Sequence, residues 1–288
     1  MAMSSDGRWA AVSTGPGIGF LHRDQRLRIF DARTGGIAFD EVHGEFLGGH
    51  PATLVFRGPD ELAFGVRVVA RDATAWAWAP DRPPPIREAD YDAQGTRYVT
   101  GGQYVGERTI RLHDTASGKQ LQAWKLPSPG TYGVVYAWIA GGGDRAIAWG
   151  KGSLYWCIPG MAKPERITDA LVNAPVFGPD GDAVLVLAHD GGPATLYRAD
   201  GSSASWICPV RSYGRVLVGR WLVHGEKTGE VRVRDAATGN PLAQLRGLPD
   251  LTFSIAACRG SRGVVATTQD GRTAAWDLTP LDGADPRA

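Results

Sequence analysis

The side chains best suited to chemistry in this 288-residue chain are its histidines, above all His22, His189 and His224. An imidazole changes charge near neutral pH and is the commonest metal ligand. His189 stands beside Asp190, so His189, Asp190 and His224 are the first candidates for acid–base work. A zinc site would need three ring nitrogens at about 2.0–2.1 Å from one ion. Each histidine instead falls near the tip of a different short hairpin, and such tips do not converge that closely. The expectation is loop histidines, with no metal and no cofactor.

Other chemical signatures are missing from the sequence. No G-x-S-x-G elbow presents a nucleophilic serine. TGPGIGF (14–20) holds a lone G-x-G with no helix to open, which makes it a hairpin loop. Cys157, Cys208 and Cys258 lie about fifty residues apart with no C-x-x-C pair, and read as packed thiols of a reducing compartment. Ten tryptophans could stack on single-stranded nucleic acid, but the repeat phase puts Trp78, Trp156 and Trp276 in packing positions.

Composition narrows the classes further. A hydrophobic share of 43% supports a sizeable core, and 31 basic against 30 acidic side chains give a net charge of +1. That balance supplies no global field for nucleic acid or an anionic membrane. The N-terminal MAMSSDGRWA lacks a basic segment followed by an apolar core, and the longest apolar run, YGVVYAWIAGGG from Tyr132, is broken by glycines. A spanning helix needs about 20 apolar residues. A cytoplasmic protein is expected, and the excess of arginine over lysine, 26 to 5, suits a GC-rich bacterial genome.

The elements that position these residues are announced by a repeat. LRIFDARTGG (27–36), IRLHDTASGK (110–119) and VRVRDAATGN (231–240) share apolar-x-apolar-x-Asp and then a Thr-Gly or Ser-Gly turn; TAAWDLTP (273–280) keeps the Asp. TAWAWAPD (74–81), SLYWCIPG (153–160) and ATLYRADG (194–201) are weaker copies. The residues before the Asp or its equivalent are Phe30, Trp78, His113, Trp156, Tyr197, Arg234 and Trp276, at a mean spacing of about 41. Six residues upstream stand the turn formers Asp24, Asp72, Glu107, Gly150, Thr228 and Asp270, with Asp190 displaced by one glycine. An aspartate recurring at one structural position serves the turn, because its carboxylate accepts from nearby amides. Asp31, Asp114, Asp235 and Asp277 are read this way.

Each unit reads as four strands with no room for a helix. Alternation puts Leu27 with Ile29, Ile110 with Leu112 and Val231 with Val233 on one face. Such sheets must stack, and closing the stack into a ring removes its open edge. The expected fold is all-β: a seven-bladed β-propeller of four-stranded antiparallel blades over residues 1–279. The blades span about 1–44, 45–84, 85–127, 128–168, 169–209, 210–247 and 248–279, with a tail at 280–288. The first unit starts nearly without its innermost strand and the seventh stops without an evident outer one. This leaves two expectations, a segment of a longer polypeptide or an irregular closure through LDGADPRA.

With its Trp276-Asp277 and Gly49-His50 pairs, the chain resembles the WD40 repeat propellers. The resemblance implies an in-blade network of His, Ser or Thr, Asp and Trp, present in part as His50 with Asp72 and Trp78, and as Thr268 with Asp270 and Trp276. It also implies that the residue before each hairpin Asp lines a docking face: Arg23, Arg71, Trp149, His189, Lys227 and Gln269, with Gly106 in the third unit. Arginine forks match carboxylate and phosphate oxygens, so the partner expected there is an acidic or phosphorylated peptide, another protein or another domain of a longer parent chain. Membrane and nucleic acid are not expected partners. The leading functional reading is a non-catalytic interaction scaffold. The alternative is an enzyme or small-molecule binder working at the mouth of the central channel.

Overall fold

A computed structural model describes residues 2–4, 6–14, 25–43, 54–64, 67–79, 89–92, 94–101, 108–127, 136–140, 142–150, 153–168, 172–178, 181–188, 193–207, 214–226, 228–249, 252–257, 262–268 and 272–281. Among them lie 27 strands, one 3-10 turn at Thr279–Leu281 and no α-helix. The strands form seven antiparallel sheets in chain order. Blade 1 holds β1 (Ala2–Met3), β2 (Trp9–Thr14), β3 (Gln25–Asp31) and β4 (Ile37–His43); blade 2 holds β5 (Leu54–Phe56), β6 (Glu61–Phe64), β7 (Arg67–Arg71) and β8 (Trp76–Trp78). Blade 3 follows with β9 (Ala89–Tyr91), β10 (Arg97–Thr100), β11 (Thr109–Asp114) and β12 (Gln120–Lys125), and blade 4 with β13 (Tyr136–Ile139), β14 (Ala146–Gly150), β15 (Ser153–Cys157) and β16 (Glu165–Thr168). Blade 5 contains β17 (Val172–Phe177), β18 (Ala183–Ala188), β19 (Pro193–Arg198) and β20 (Ser203–Ile207); blade 6 contains β21 (Arg215–Val218), β22 (Trp221–Gly225), β23 (Val231–Asp235) and β24 (Pro241–Leu245). Blade 7 has β25 (Thr252–Ala257), β26 (Gly263–Thr268) and β27 (Thr273–Asp277), three strands among the described residues where the other blades have four.

The alternation seen in the sequence becomes two-sided burial. On β3, Leu27 and Ile29 are fully buried against blade 2 with Phe56, Leu62, Val69 and Trp76. On β22, Trp221 and Val223 face blade 7 while Leu222 faces blade 5. A seam of apolar side chains therefore fills the gap between neighbours. Trp9 of blade 1 meets Trp76 of blade 2 edge to face at 5.7 Å, and Trp124 is fully buried between blades 3 and 4. Blades 2 and 3 meet where the Arg57 guanidinium lies 5.3 Å over the Tyr91 ring. Each large side chain buried in a seam contributes roughly 1.5–3 kcal/mol.

The first strand of each blade lies innermost. β1 adjoins β5 on one side and β25 on the other, and this contact joins the last blade to the first. The ring closes by packing, since β1 completes its own blade and no terminal strand is exchanged between blades 1 and 7 among the described residues.

The second blade departs from the expected phase. Asp72 was expected in the hairpin between the second and third strands, and Trp78 in the third. In the structure β6 ends at Phe64, β7 begins at Arg67, and Asp72 follows β7 in the turn to β8, which carries both Trp76 and Trp78 as the fourth strand. RVVAR and TAWAW are both short strand-like runs, so local pattern alone does not say which is the third strand. The ladder decides: Leu62 pairs with Val69, and Val69 with Trp78.

Candidate functional site

The recurring aspartates come first, because they are the most regular acids in the chain. In blade 6 the Asp235 carboxylate accepts hydrogen bonds from the Ala237 amide (3.0 Å), the Thr238 amide (2.8 Å) and the Thr238 hydroxyl (3.0 Å). Its own amide donates to the Asn240 carbonyl at 2.9 Å, and Gly239, at φ +76°, donates back to the Asp235 carbonyl. Asp31 accepts from the amides of Arg33 and Thr34 in the same way. Asp114 is held below the usual carboxylate range by the Ser117 hydroxyl and then the Ser117 amide. The Thr279 amide and hydroxyl do the same for Asp277. These carboxylates are committed to their turns and are poor candidates for acid–base work at neutral pH.

His224 was expected to be a loop histidine. It lies within β22 and is completely buried, on the face of blade 6 that looks toward blade 5. Its position two residues after Leu222 puts it on that face, because side chains alternate along a strand. Arg234 Nε donates to His224 Nε2 at 3.1 Å, so the imidazole proton sits on Nδ1, a tautomer assigned from this bond. Among the described residues Nδ1 finds no hydrogen-bond partner, with Glu226 Oε1 3.7 Å away. Burial, and then the positive Arg234 and Arg232, push the His224 pKa down to about 4. A neutral ring shut inside a blade seam cannot exchange protons with a solute. His22, His189 and Asp190 lie outside the described residues. Among the described residues no group of three or more His, Cys, Asp or Glu side chains is arranged to hold a metal.

The six expected docking residues divide by position. Arg23, His189, Lys227 and Gln269 lie outside the described residues, as does Gly106. Trp149 is half-buried near the end of β14, at the end of blade 4 where the second strand turns into the third. Arg71 is the last residue of β7 and therefore sits at the opposite end of the ring from Trp149. There it pairs with Asp60 at 3.2 Å and stacks over the Trp9 ring at 5.3 Å. This placement corrects its assignment to the hairpin face, and follows from the shifted phase of blade 2.

The expected in-blade networks are replaced, where described, by bonds between blades. Trp276 donates its single indole N–H to the Arg246 carbonyl beyond β24 at 3.1 Å, which ties blade 7 to blade 6. Thr268 closes its own hairpin instead, its hydroxyl lying 3.2 Å from the Arg272 carbonyl and 3.1 Å from the Arg272 amide. The Trp78 indole N–H donates to Glu41 on β4 of blade 1. His50 and Asp270 lie outside the described residues. Sequence reading missed a second set of tryptophans, those on fourth strands. Trp124 reaches the Met161 carbonyl of blade 4 at 3.1 Å, and Trp206 the Ala236 carbonyl of blade 6 at 3.0 Å.

Burial alone pushes the Cys157 thiol up to about 12, which keeps it an unreactive packing group. Among the described residues no helix is long and apolar enough to cross a membrane. A cleft of about 160 Å³ opens between blades 7 and 1, lined by Arg28, Phe30, Ala32 and Gly35 on one side and by Val265 and Ala275 on the other.

These features define a seven-bladed β-propeller whose repeated acids build turns. No protein-family model matches the chain, and no curated protein matches it.

Proposed function

We propose that this protein is a WD40-type propeller acting as a non-catalytic docking scaffold for an acidic or phosphorylated peptide segment of a protein partner. The observation that carries this reading is the state of Asp31, Asp114, Asp235 and Asp277. Each is bound by groups of its own turn, so the acids repeated around the ring make a rigid frame. A rigid frame with variable hairpins suits recognition, since binding and catalytic groups concentrate on loops held by a scaffold. The fold supports many functions, and the choice among them rests on the site. The buried, unpaired Cys157 suits a reducing cytoplasm.

The docking face is the end of the ring that carries Trp149. The repeat phase assigns Arg23, Lys227, His189 and Gln269 to that end, whereas Arg71 belongs to the other. The test uses immobilised acidic and phosphorylated peptides at low and high salt. Arg23→Glu combined with Lys227→Glu should abolish binding that weakens with salt, while Arg71→Glu should leave it intact. Equal loss in both variants, with both folded, would refute the assignment of the face.

A further inference from the structure

We propose that the outer edge of β27, with the groove beside it, accepts an extended segment of a partner protein as the fourth strand of blade 7, and that this segment carries a tryptophan next to acidic residues. The site lies on the side of the ring and does not depend on the docking face proposed above.

The backbone supplies the first argument. In an antiparallel ladder, pairs that exchange hydrogen bonds alternate with pairs that do not. Leu278 donates to the Arg262 carbonyl and Thr268 to the Arg272 carbonyl, so Ala274 and Trp276 are the β27 residues that exchange bonds with β26. Ala275 and Asp277 therefore point their N–H and C=O groups away from the sheet. In the complete blades the residue equivalent to Asp277 uses its outward amide: Asp31 donates to Gly36, Asp114 to Lys119 and Asp235 to Asn240. Among the described residues no strand lies against this edge of β27. An open edge is a template for an added strand.

The second argument identifies the side chain. Trp206, on the fourth strand of blade 5, lies over the turn of blade 6, bonded to the Ala236 carbonyl. It sits so close that a Cβ built on Gly239 would come within 2.3 Å of its ring. Blade 6 has the turn Asp235-Ala236-Ala237-Thr238-Gly239, and blade 1 repeats it as Asp31-Ala32-Arg33-Thr34-Gly35. Ala32 and Gly35 line the groove between blades 7 and 1, and among the described residues a Cβ on Gly35 would meet nothing within 4 Å. Gly118 and Gly201 are also open, although the preceding blades have fourth strands: β8 packs its tryptophans on blade 1, and β16 has none. The blade 1 turn is thus an indole socket whose supplying strand is not among the described residues.

Charge supplies the third argument. Arg28 lines the groove, and both Arg26 and Arg28 turn to one carboxylate, Asp40. Two guanidiniums sharing a single acid leave room for another carboxylate two residues from the tryptophan, on the same face of the added strand. On that face of β4, Ile37 and Val42 are 57% and 60% exposed, offering apolar surface to the same segment. Residues 282–288, DGADPRA, contain no aromatic side chain, and Pro286 has no N–H for a ladder. The chemistry thus favours a partner segment over residues 282–288.

The test is titration of a fluorescein-labelled, end-capped heptapeptide, Thr-Glu-Thr-Trp-Thr-Glu-Thr, with the full chain, followed by the anisotropy of the label. Replacing the peptide tryptophan with alanine should weaken binding at least tenfold. Ala275→Pro, which removes an outward N–H and no bond to β26, should do the same with an unchanged circular dichroism spectrum. Arg28→Glu should weaken binding several-fold and serves as the decisive variant should Ala275→Pro fail to fold. Undetectable binding to the wild-type chain, or binding indifferent to the peptide tryptophan and to Arg28→Glu, would overturn the proposal. So would a tenfold gain on deleting residues 282–288, which would make the tail the occupant, or a dimer in sedimentation abolished by Arg28→Glu, which would make a second copy the occupant.

Discussion

His224 should make the stability of the ring fall sharply in mildly acidic solution, well above the range where carboxylates protonate. Its ring is completely buried, and its pKa is lowered from 6.5 to about 4. Between these values the unfolded chain binds a proton that the folded chain refuses. Stability from this group is therefore complete above about pH 6.5 and is lost as pH falls toward 4. One pKa unit corresponds to about 1.36 kcal/mol, so the full loss is about 3 kcal/mol, of which about 2 kcal/mol has gone by pH 5. For a chain of this size that full loss lowers Tm by about 5–10 °C. The assay is urea unfolding in steps from about pH 7 to pH 5, compared between the wild type and His224→Gln, whose side-chain carbonyl can still accept from Arg234. The difference between the two profiles isolates the imidazole, since the wild type and the variant share every other titratable group. Parallel profiles from two folded proteins would refute the claim that a neutral, sealed imidazole occupies this seam.

Further acidification should act through the turns. Asp114 and Asp277 have lowered pKa values, so their contribution is present above the unfolded value near 3.8 and lost as pH falls below it; Asp114→Asn with Asp277→Asn should flatten Tm against pH in that range. Gly239→Ala should destabilise by about 2–4 kcal/mol in denaturant titration, because left-handed strain adds to a clash with Trp206. Gly35→Ala should cost only the strain, about 1–2 kcal/mol, as its Cβ meets open space. Trp124→Phe should lower stability by about 1–3 kcal/mol, since it removes the donor to the Met161 carbonyl from a fully buried ring; an unchanged midpoint would show that this bond does not hold blades 3 and 4 together.

What the sequence determined by itself is whatever local chemistry dictates. An aspartate followed by Thr-Gly or Ser-Gly closes a turn with its own neighbours, so DARTG, DTASG and DAATG each announce the same turn wherever they stand, and their spacing counts the blades. Leu27 with Ile29, and Val231 with Val233, declare a strand by alternation alone. The tertiary structure decided everything that depends on which strand meets which. RVVAR and TAWAW are both short strand-like runs, and only the pairing of Val69 with Leu62 and Trp78 sends Arg71 to the far end of the ring. His224 reads as a loop histidine until β22 is placed in a sheet with blade 5 beside it. Trp206 and Trp124 give no local sign of their acceptors, which lie 30 and 37 residues away in the chain. The groove at Ala32 and Gly35 is further still from legibility, for it is made by residues about 240 positions apart that meet only because blade 7 closes on blade 1. Turn chemistry acts over a few bonds and is encoded where it acts, whereas burial and contact between blades are properties of the closed ring.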